Sequence, residues 1–568
     1  MMRTTLFGLV TLIGCKSGTA KFEDRTVGGE NDVIEYSLTI DEPVYGSFYQ
    51  DGPVPVSGTL TPATATLWLQ GTPIAVNEDG TFTSAVGFQK DYAVIDVQVP
   101  DGDIRERIPV FAGNPPMDTW PGGMAGRLLP NGLDSLGKFL GAQIDATGWL
   151  ETIGAQLPTI DNGTWGFTPI GMLSSPTEVA MAPARSGVAI DFTLNDIGLE
   201  YEFWWNDPNV GAGSFPITIQ IETIAIGATA DPILENGILT FSLYDADLTM
   251  QNPDFIFNNT NASILEGILE FGSQWILEPI AENLLEQVLT QIGTLELGGP
   301  FEFETDLMGT RLGIGLDEIY GDLDGLALEL ELAVGEDLST NASYVPIPTI
   351  EDAHPDAQLA LVVHEAILDN IVQDQVLGLL SQDLDLSGFA GNIIGNVVST
   401  LDGGDQVPSN AQGWCLALNP GDLGLVRMKE GIDPIANLYL ADMMIDIGVD
   451  TGAGCQDWLV MNVVGEVGIK VTDGSKIGFD FAIGEGAVLY YGASSYDEDA
   501  VVEGFGRSLS SLIGLLGGAA SIDLADLAGG TTGLGDISIS ILDSQKIYDF
   551  YDEWPEGLYS VSMNLWAE

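Results

Sequence analysis

Basic side chains are scarce in this sequence: 17 Lys and Arg stand against 83 Asp and Glu in 568 residues, a formal net charge of −66. Between Arg185 and Arg427 the only Lys or Arg is Arg311. A surface this negative repels phosphate backbones, so with no basic subdomain a nucleic-acid partner is excluded. Histidine and cysteine are also rare. His354 and His364 with three cysteines make no zinc cluster and no HExxH pair, so no metal and no cofactor is expected. No Gly-x-Ser-x-Gly nucleophile elbow occurs. The stretch Gly132-Leu133-Asp134-Ser135-Leu136-Gly137-Lys138-Phe139 has the spacing of a phosphate loop, but Phe139 stands where Ser or Thr would hold magnesium. Acid pairs such as Asp322/Asp324, Asp383/Asp385 and Asp497/Asp499 miss the EF-hand spacing and read as solvated loops. No catalytic residue is named and the chain reads as a non-enzyme; a carboxylate hydrolase is the remote alternative. Apolar material is plentiful, at 45% hydrophobic and 8% aromatic residues, so the chain folds. With 71 Gly, it reads as turn-rich β structure with an acidic exterior, whose plainest account is solubility or adaptation to salt.

Residues 1–14 carry one positive charge, Arg3, then the apolar run Leu6 to Ile13 and Gly14. This is a short export signal, too short for the roughly 20 residues a spanning helix needs. Leu12-Ile13-Gly14-Cys15 resembles the lipobox of bacterial lipoproteins, which implies cleavage before Cys15 and acylation of its thiol. Two or three acyl chains anchor durably where one does not. Residues 15–32 are polar and aperiodic and read as a flexible tether. Lys16 is not the Asp of an inner-membrane retention signal, so the expectation is the bacterial envelope, lipid-anchored at the outer membrane. With Cys15 acylated, Cys415 and Cys455 remain an even pair in an oxidising compartment, and a disulfide is expected, with two free thiols as the alternative.

Residues 33–112 show short alternating runs, among them 36–40, 54–58, 66–69 and 94–99. Turn chemistry such as Asn77-Glu78-Asp79-Gly80 separates them, at the spacing of a β-sandwich. This region resembles the immunoglobulin-like modules of bacterial surface proteins. Gly113-Asn114-Pro115-Pro116 marks a linker. Beyond it Leu133, Leu136, Phe139, Leu140 and Ile144 make one helical face, and Ile197, Leu199, Tyr201 and Phe203 alternate as a strand. A capping box at Ser263 opens a second helix, apolar at Ile276, Leu284 and Val288 with Glu278, Glu282 and Glu286 opposite. The order then repeats: strands at 301–304 and 326–332, a helix over 356–380 with Leu359, Val363, Ile367 and Ile371 on one face, more strands, a closing helix over 501–516, and a last strand at 537–541. A duplicated module accounts for this most economically, divided as 117–300 and 301–568.

An opening amphipathic helix, alternating strands, a long helix and tandem duplication resemble the tubular lipid-binding superfamily. The layout is similar to the two-domain proteins related to bactericidal/permeability-increasing protein. The features carrying the resemblance are Gly132 to Gly137, Leu359 to Leu380, and Ile522 to Ile541. The resemblance implies an α+β class: a β-sandwich followed by two tandem modules of curved antiparallel sheet wrapped around long helices, enclosing an apolar slot. The residues assigned to line it are Leu133, Leu136, Phe139, Val363, Ile367 and Ile371. The scarcity of cations departs from relatives that bind anionic lipopolysaccharide, so the expected partner is a neutral or zwitterionic lipid, held or transferred at a membrane. The alternative is an adhesive or structural surface lipoprotein with filled cores.

Overall fold

The computed structural model describes residues 35–50, 52–88, 90–114, 123–146, 148–209, 211–235, 238–257, 276–290, 302–307, 310–334, 345–365, 412–419, 421, 424–452, 454–472, 475–492, 496–506, 522–523, 539–547 and 557–565. The chain divides into two compact units, Met1–Pro115 and Pro116–Glu568.

The first unit is a two-sheet sandwich. Its strands are β1 (Ser37–Glu42), β2 (Phe48–Tyr49), β3 (Val54–Thr61), β4 (Leu67–Leu69), β5 (Thr72–Ile74), β6 (Thr81–Val86), β7 (Tyr92–Val99) and β8 (Ile104–Ala112). One sheet runs β1-β3-β6, the other β2-β8-β7-β4-β5. Alternation decides which face is buried. Val54, Val56 and Leu60 of β3 meet Leu67, Phe82, Ile95 and Val97 in one core, while the residues between point outward. Gly80 takes φ +86° at the turn before β6, a conformation that L side chains avoid, and the carboxylate of Asp79 accepts from Thr81 N at 3.0 Å.

The second unit opens with β9 (Gly123–Leu128), α1 (Pro130–Ala146) and α2 (Trp149–Gln156). Its first sheet follows: β10 (Ile160–Asp161), β11 (Trp165–Leu173), β12 (Glu178–Ala184), β13 (Gly187–Asp207), β14 (Gly211–Glu235), β15 (Ile238–Gln251) and β16 (Asp254–Phe257). After α3 (276–290) come β17 (Glu302–Leu307), β18 (Thr310–Asp322), β19 (Gly325–Val334) and β20 (Leu359–His364). The second sheet has β21 (Gly413–Asn419), β22 (Gly424–Met428), β23 (Ala436–Asp450), β24 (Cys455–Thr472), β25 (Lys476–Tyr491) and β26 (Ile522–Asp523), with α4 (498–506) after β25. The chain closes with β27 (Ser540–Lys546) and β28 (Leu558–Asn564).

These elements make three sheets. The first is ordered β10-β11-β13-β14-β15, with β12 alongside β13 and β16 alongside β14. The second is β21-β23-β24-β25-β26, with β22 alongside β23. Between them in composition is a seven-stranded central sheet, β17-β18-β19-β9-β20-β28-β27, which joins the beginning, middle and end of the unit. Sheet dominates the described residues, and the class is α+β. Two cores result. Ile319 and Leu326 of the central sheet enter the core of the first sheet, Leu359, Tyr559, Val561 and Met563 enter that of the second, and Leu328 and Leu565 border both.

One expectation is corrected. Leu359 to His364 is not the start of a helix but strand β20, paired antiparallel with both β9 and β28. The spacing of Leu359 and Val363 fits a helical face, yet Leu-Ala-Leu-Val-Val is equally a buried strand, and a short apolar run cannot be assigned by period alone. Two open sheet edges waiting on either side decide it. Residues 366–411, which hold the rest of that expected helix, lie outside the described residues, as do the capping box at Ser263 and the signal and tether over 1–32. The expected last strand at 537–541 overlaps the observed β27 only at Ser540 and Ile541, residues 537 and 538 lying outside the described residues, and β28 follows without having been anticipated.

Candidate functional site

The first sheet owes its shape to two very long strands. β13 has 21 residues and β14 has 25, paired along nearly their whole length. On β13 the buried positions are Val188, Ile190, Phe192 and Leu194, then Ile197, Leu199, Tyr201 and Phe203; on β14 they are Phe215, Ile217, Ile219 and Ile221, then Ile224, Ile226, Ala228 and Ala230. Both strands change parity at the same place, around Asp196 and Glu222. Asp196 has φ +51°, and Thr223 Oγ1 donates to Asn195 Oδ1 at 3.0 Å across the kink. A strand must twist as it lengthens, and a slip of one residue would turn its apolar set outward. The coordinated switch keeps one face inward for the whole run. Glu202, Asp191 and Glu222 take the other face and are exposed.

Helices cover the flanks of this face. α1 presents Leu133, Leu136, Leu140 and Ile144 to the core and packs on β12. The approach is close because it uses glycine: a Cβ on Gly137 would stand 2.7 Å from Val179 O, and one on Gly141 would stand 2.8 Å from Thr177 O. At the end of α1 the Asp145 carboxylate accepts from Thr177 N at 2.9 Å and from its hydroxyl at 2.6 Å. α2 packs on β11, with Gly154 against Met172. From α3, Ile276, Ile280, Leu284 and Val288 join the same core, one residue per turn.

At the β13–β14 hairpin end the inner face turns aromatic. Phe203 lies 5.2 Å from Phe167, 5.9 Å from Trp205 and 5.5 Å from Phe215, and Phe167 meets Tyr201 edge-on at 6.3 Å. The Trp205 ring lies across Gly213 of β14, where any Cβ would collide with it. Burial pushes the Tyr201 phenol well above its ordinary pKa, so it stays a neutral hydroxyl. Sequence reasoning placed Tyr201 and Phe203 on a strand but did not single out this cluster. The alternation Tyr201, Phe203, Trp205 was the available signal.

The second sheet repeats the design with aliphatic and methionine side chains. Leu438, Leu440, Met443, Ile445 and Ile447 of β23 face Met461, Val463 and Val467 of β24 and Phe505 of α4. At one strand end an aromatic row runs Trp414, Trp458, Tyr491, Tyr496, with centroids 5.6, 4.9 and 5.2 Å apart. Beside it Cys415 and Cys455 form the expected disulfide, their Cα atoms 6.2 Å apart. On the same sheet, burial and then the neighbouring Asp457 push Asp446 above the usual carboxylate range.

Of the six residues assigned to line a slot, Leu133, Leu136 and Phe139 meet in the first core, Phe139 only half-buried, and Val363 packs against the second. Ile367, Ile371 and the acylation candidate Cys15 lie outside the described residues. Among the described residues, three cations near these cores are paired. Arg127 donates to Asp322 and to Pro348 O, Arg427 Nη1 lies 2.9 Å from Glu365, and Lys470 lies 3.2 Å from Asp480. Among the described residues no group of three or more His, Cys, Asp or Glu could hold a metal ion, and no helix is long and apolar enough to cross a membrane.

No family model matches the sequence, and no curated protein matches it. Among solved structures, the chain is similar to a lipopolysaccharide binding protein at 13% identity and a TM-score of 0.46, over 79% of this chain and 99% of that one. It is also similar to P47 of Clostridium botulinum E1 at 9% identity and a TM-score of 0.26, over 79% and 100% of the two chains. Takeout 1 of Epiphyas postvittana is similar over 25% of this chain and 79% of its own, at 12% identity and a TM-score of 0.19.

Proposed function

We propose that this chain binds lipid, holding the hydrocarbon portion of a neutral or zwitterionic lipid against the inner faces of its second unit. The observation that carries the reading is the unbroken apolar inner face of β13 and β14. It runs on the order of 60 Å along the strand contour, longer than an acyl chain requires. α1 and α2 pack on the flanking strands β12 and β11, while α3 and Ile319 and Leu326 of the central sheet share the core of β13 and β14, so a bound chain would lie between these strands and those elements. Burying hydrocarbon there contributes roughly 25 cal/mol per Å². Anionic head groups find no welcome, because Arg127, Arg427 and Lys470 are engaged by carboxylates. In the same proposal the chain is a lipoprotein of the bacterial envelope, acylated at Cys15 and anchored at the outer membrane. There residues 33–112 serve as a spacer, and modules 117–300 and 301–568 hold or transfer lipid without covalent chemistry.

Native mass spectrometry of the purified full chain tests the binding. Co-purifying lipid, and uptake of a pyrene-labelled phosphatidylcholine after delipidation, are expected. A lipid-free protein that takes up no probe contradicts it. Labelling cells with radioactive palmitate tests the anchor separately: incorporation should be present in the natural chain and lost in Cys15→Ser.

A further inference from the structure

Tyr201 is wholly buried, at 0% exposure, and its hydroxyl has no hydrogen-bond partner. Four residues along the same face, the indole N–H of Trp205 is buried and also without one. In a strand these two side chains are about 13 Å apart. Folded proteins keep few such groups, because an unmet hydroxyl or N–H in an apolar interior loses its hydration for nothing. Phenylalanine at 201 would fill the same space without that cost, as it does at 167, 203 and 215 around it. The ring that meets it, Phe167, is hydrocarbon, and on the β14 side the strand backbone is committed to the ladder, Tyr201 opposite Ile217 and Phe203 opposite Phe215. A buried water needs two to four polar partners to be held, and the side chains of Phe167, Phe203 and Ile217 supply none of them.

A ligand can supply what the protein does not. We propose that Tyr201 and Trp205 each donate a hydrogen bond to a carbonyl oxygen of a neutral lipid lying along β13, a single-ester lipid engaging one of them at a time, so that the first core selects carbonyl-bearing lipids over bare hydrocarbon. This rests on the lipid-binding reading above and assigns its specificity. The phenol is suited to the task because a tyrosine hydroxyl is a donor at any physiological pH, and burial moves its pKa further up, away from that range. The aromatic walls suit it too, since the planar ester group can stack on Phe203 and Trp205 while its alkyl chain continues over Ile197, Leu199 and Ile219.

The experiment compares delipidated full-length protein with Tyr201→Phe and Trp205→Phe. The ligands are methyl palmitate, labelled with carbon-13 at its carbonyl, and octadecane, each displacing a pyrene-labelled phosphatidylcholine. One lost buried hydrogen bond should weaken methyl palmitate about fivefold in Tyr201→Phe and leave octadecane unchanged. The infrared band of the bound carbonyl should also move from its hydrogen-bonded to its free position. If both ligands bind and neither variant changes ester affinity or band position, the proposal is wrong and the lipid-binding reading stands. If neither ligand displaces the probe, or the probe itself is not taken up, both fail. Thermal melting guards against a misfolded variant. Tyr201→Phe removes an unpaired hydroxyl, so the delipidated variant should melt no lower than the natural chain. A lower melting temperature would reveal a protein partner for the hydroxyl and overturn the proposal.

Discussion

Glu106 stands on β8 opposite Val97, and burial alone pushes its pKa above the ordinary value of 4.5. The sign follows from linkage. A carboxyl whose pKa is higher folded than unfolded costs nothing while both states are protonated, and costs stability as pH rises through and beyond its unfolded value. Glu106→Gln should therefore melt higher than the natural chain near about pH 7, and the difference should close below about pH 4. A calorimetric pH series in which the gap is constant, or reversed, contradicts the assignment. Glycine at position 448 shows how much a missing side chain decides. It pairs with Cys415 on one side, and a Cβ there would stand 3.3 Å from the Cβ of Cys455 on the other. The disulfide partners were legible by counting cysteines. That they meet across β23 over a glycine was not, because strand register brings them together.

At the scale of elements, α1 rests on close glycine approaches to β12, and the second sheet carries one covalent link. In an open helix Gly→Ala stabilises by up to about 1 kcal/mol. At Gly137 the same change would set a methyl group 2.7 Å from Val179 O, so Gly137→Ala is expected to destabilise by about 1–2 kcal/mol instead. Chemical denaturation followed by fluorescence of the tryptophans measures it, and a gain in stability would show that α1 does not lie this close to β12. The Cys415–Cys455 link closes a loop of 40 residues, which the chain-entropy account values at about 4 kcal/mol. Replacing both cysteines by serine should lower the transition of the second sheet by that order, and a reductant should do the same to the natural chain while leaving the variant unmoved. α1 was readable from its spacing of Leu133, Leu136, Leu140 and Ile144, because one apolar stripe on a polar helix has one interpretation. β20 was misread because Leu359 and Val363 satisfy two periods at once.

Among the described residues many acids, such as Asp191, Glu202 and Glu222, lie on the exposed faces of sheets. Glu318 and Glu329 stand directly opposite each other on β18 and β19 beside Asp317, and burial, then Glu318, then Asp317 push Glu329 up. Like charges placed so destabilise. With a net charge of −66, screening should relieve the folded state, and the melting temperature should rise from about 0.01 M to about 1 M sodium chloride, as the Debye length falls from about 30 to 3 Å. A flat or falling curve would show that the carboxylates are spaced widely enough not to repel. By itself the sequence determined the sheet-rich class, the position of α1, the alternation that makes Tyr201 and Phe203 inward residues, and the pairing of Cys415 with Cys455. Each of these is set by neighbours within a turn, a strand or a count. Only the tertiary structure decided that β9, β20 and β28 lie side by side, Leu359 between Leu128 and Met563. Strand partners about two hundred residues apart or more leave no local period to read, and their choice is made by which open edges the rest of the fold leaves free.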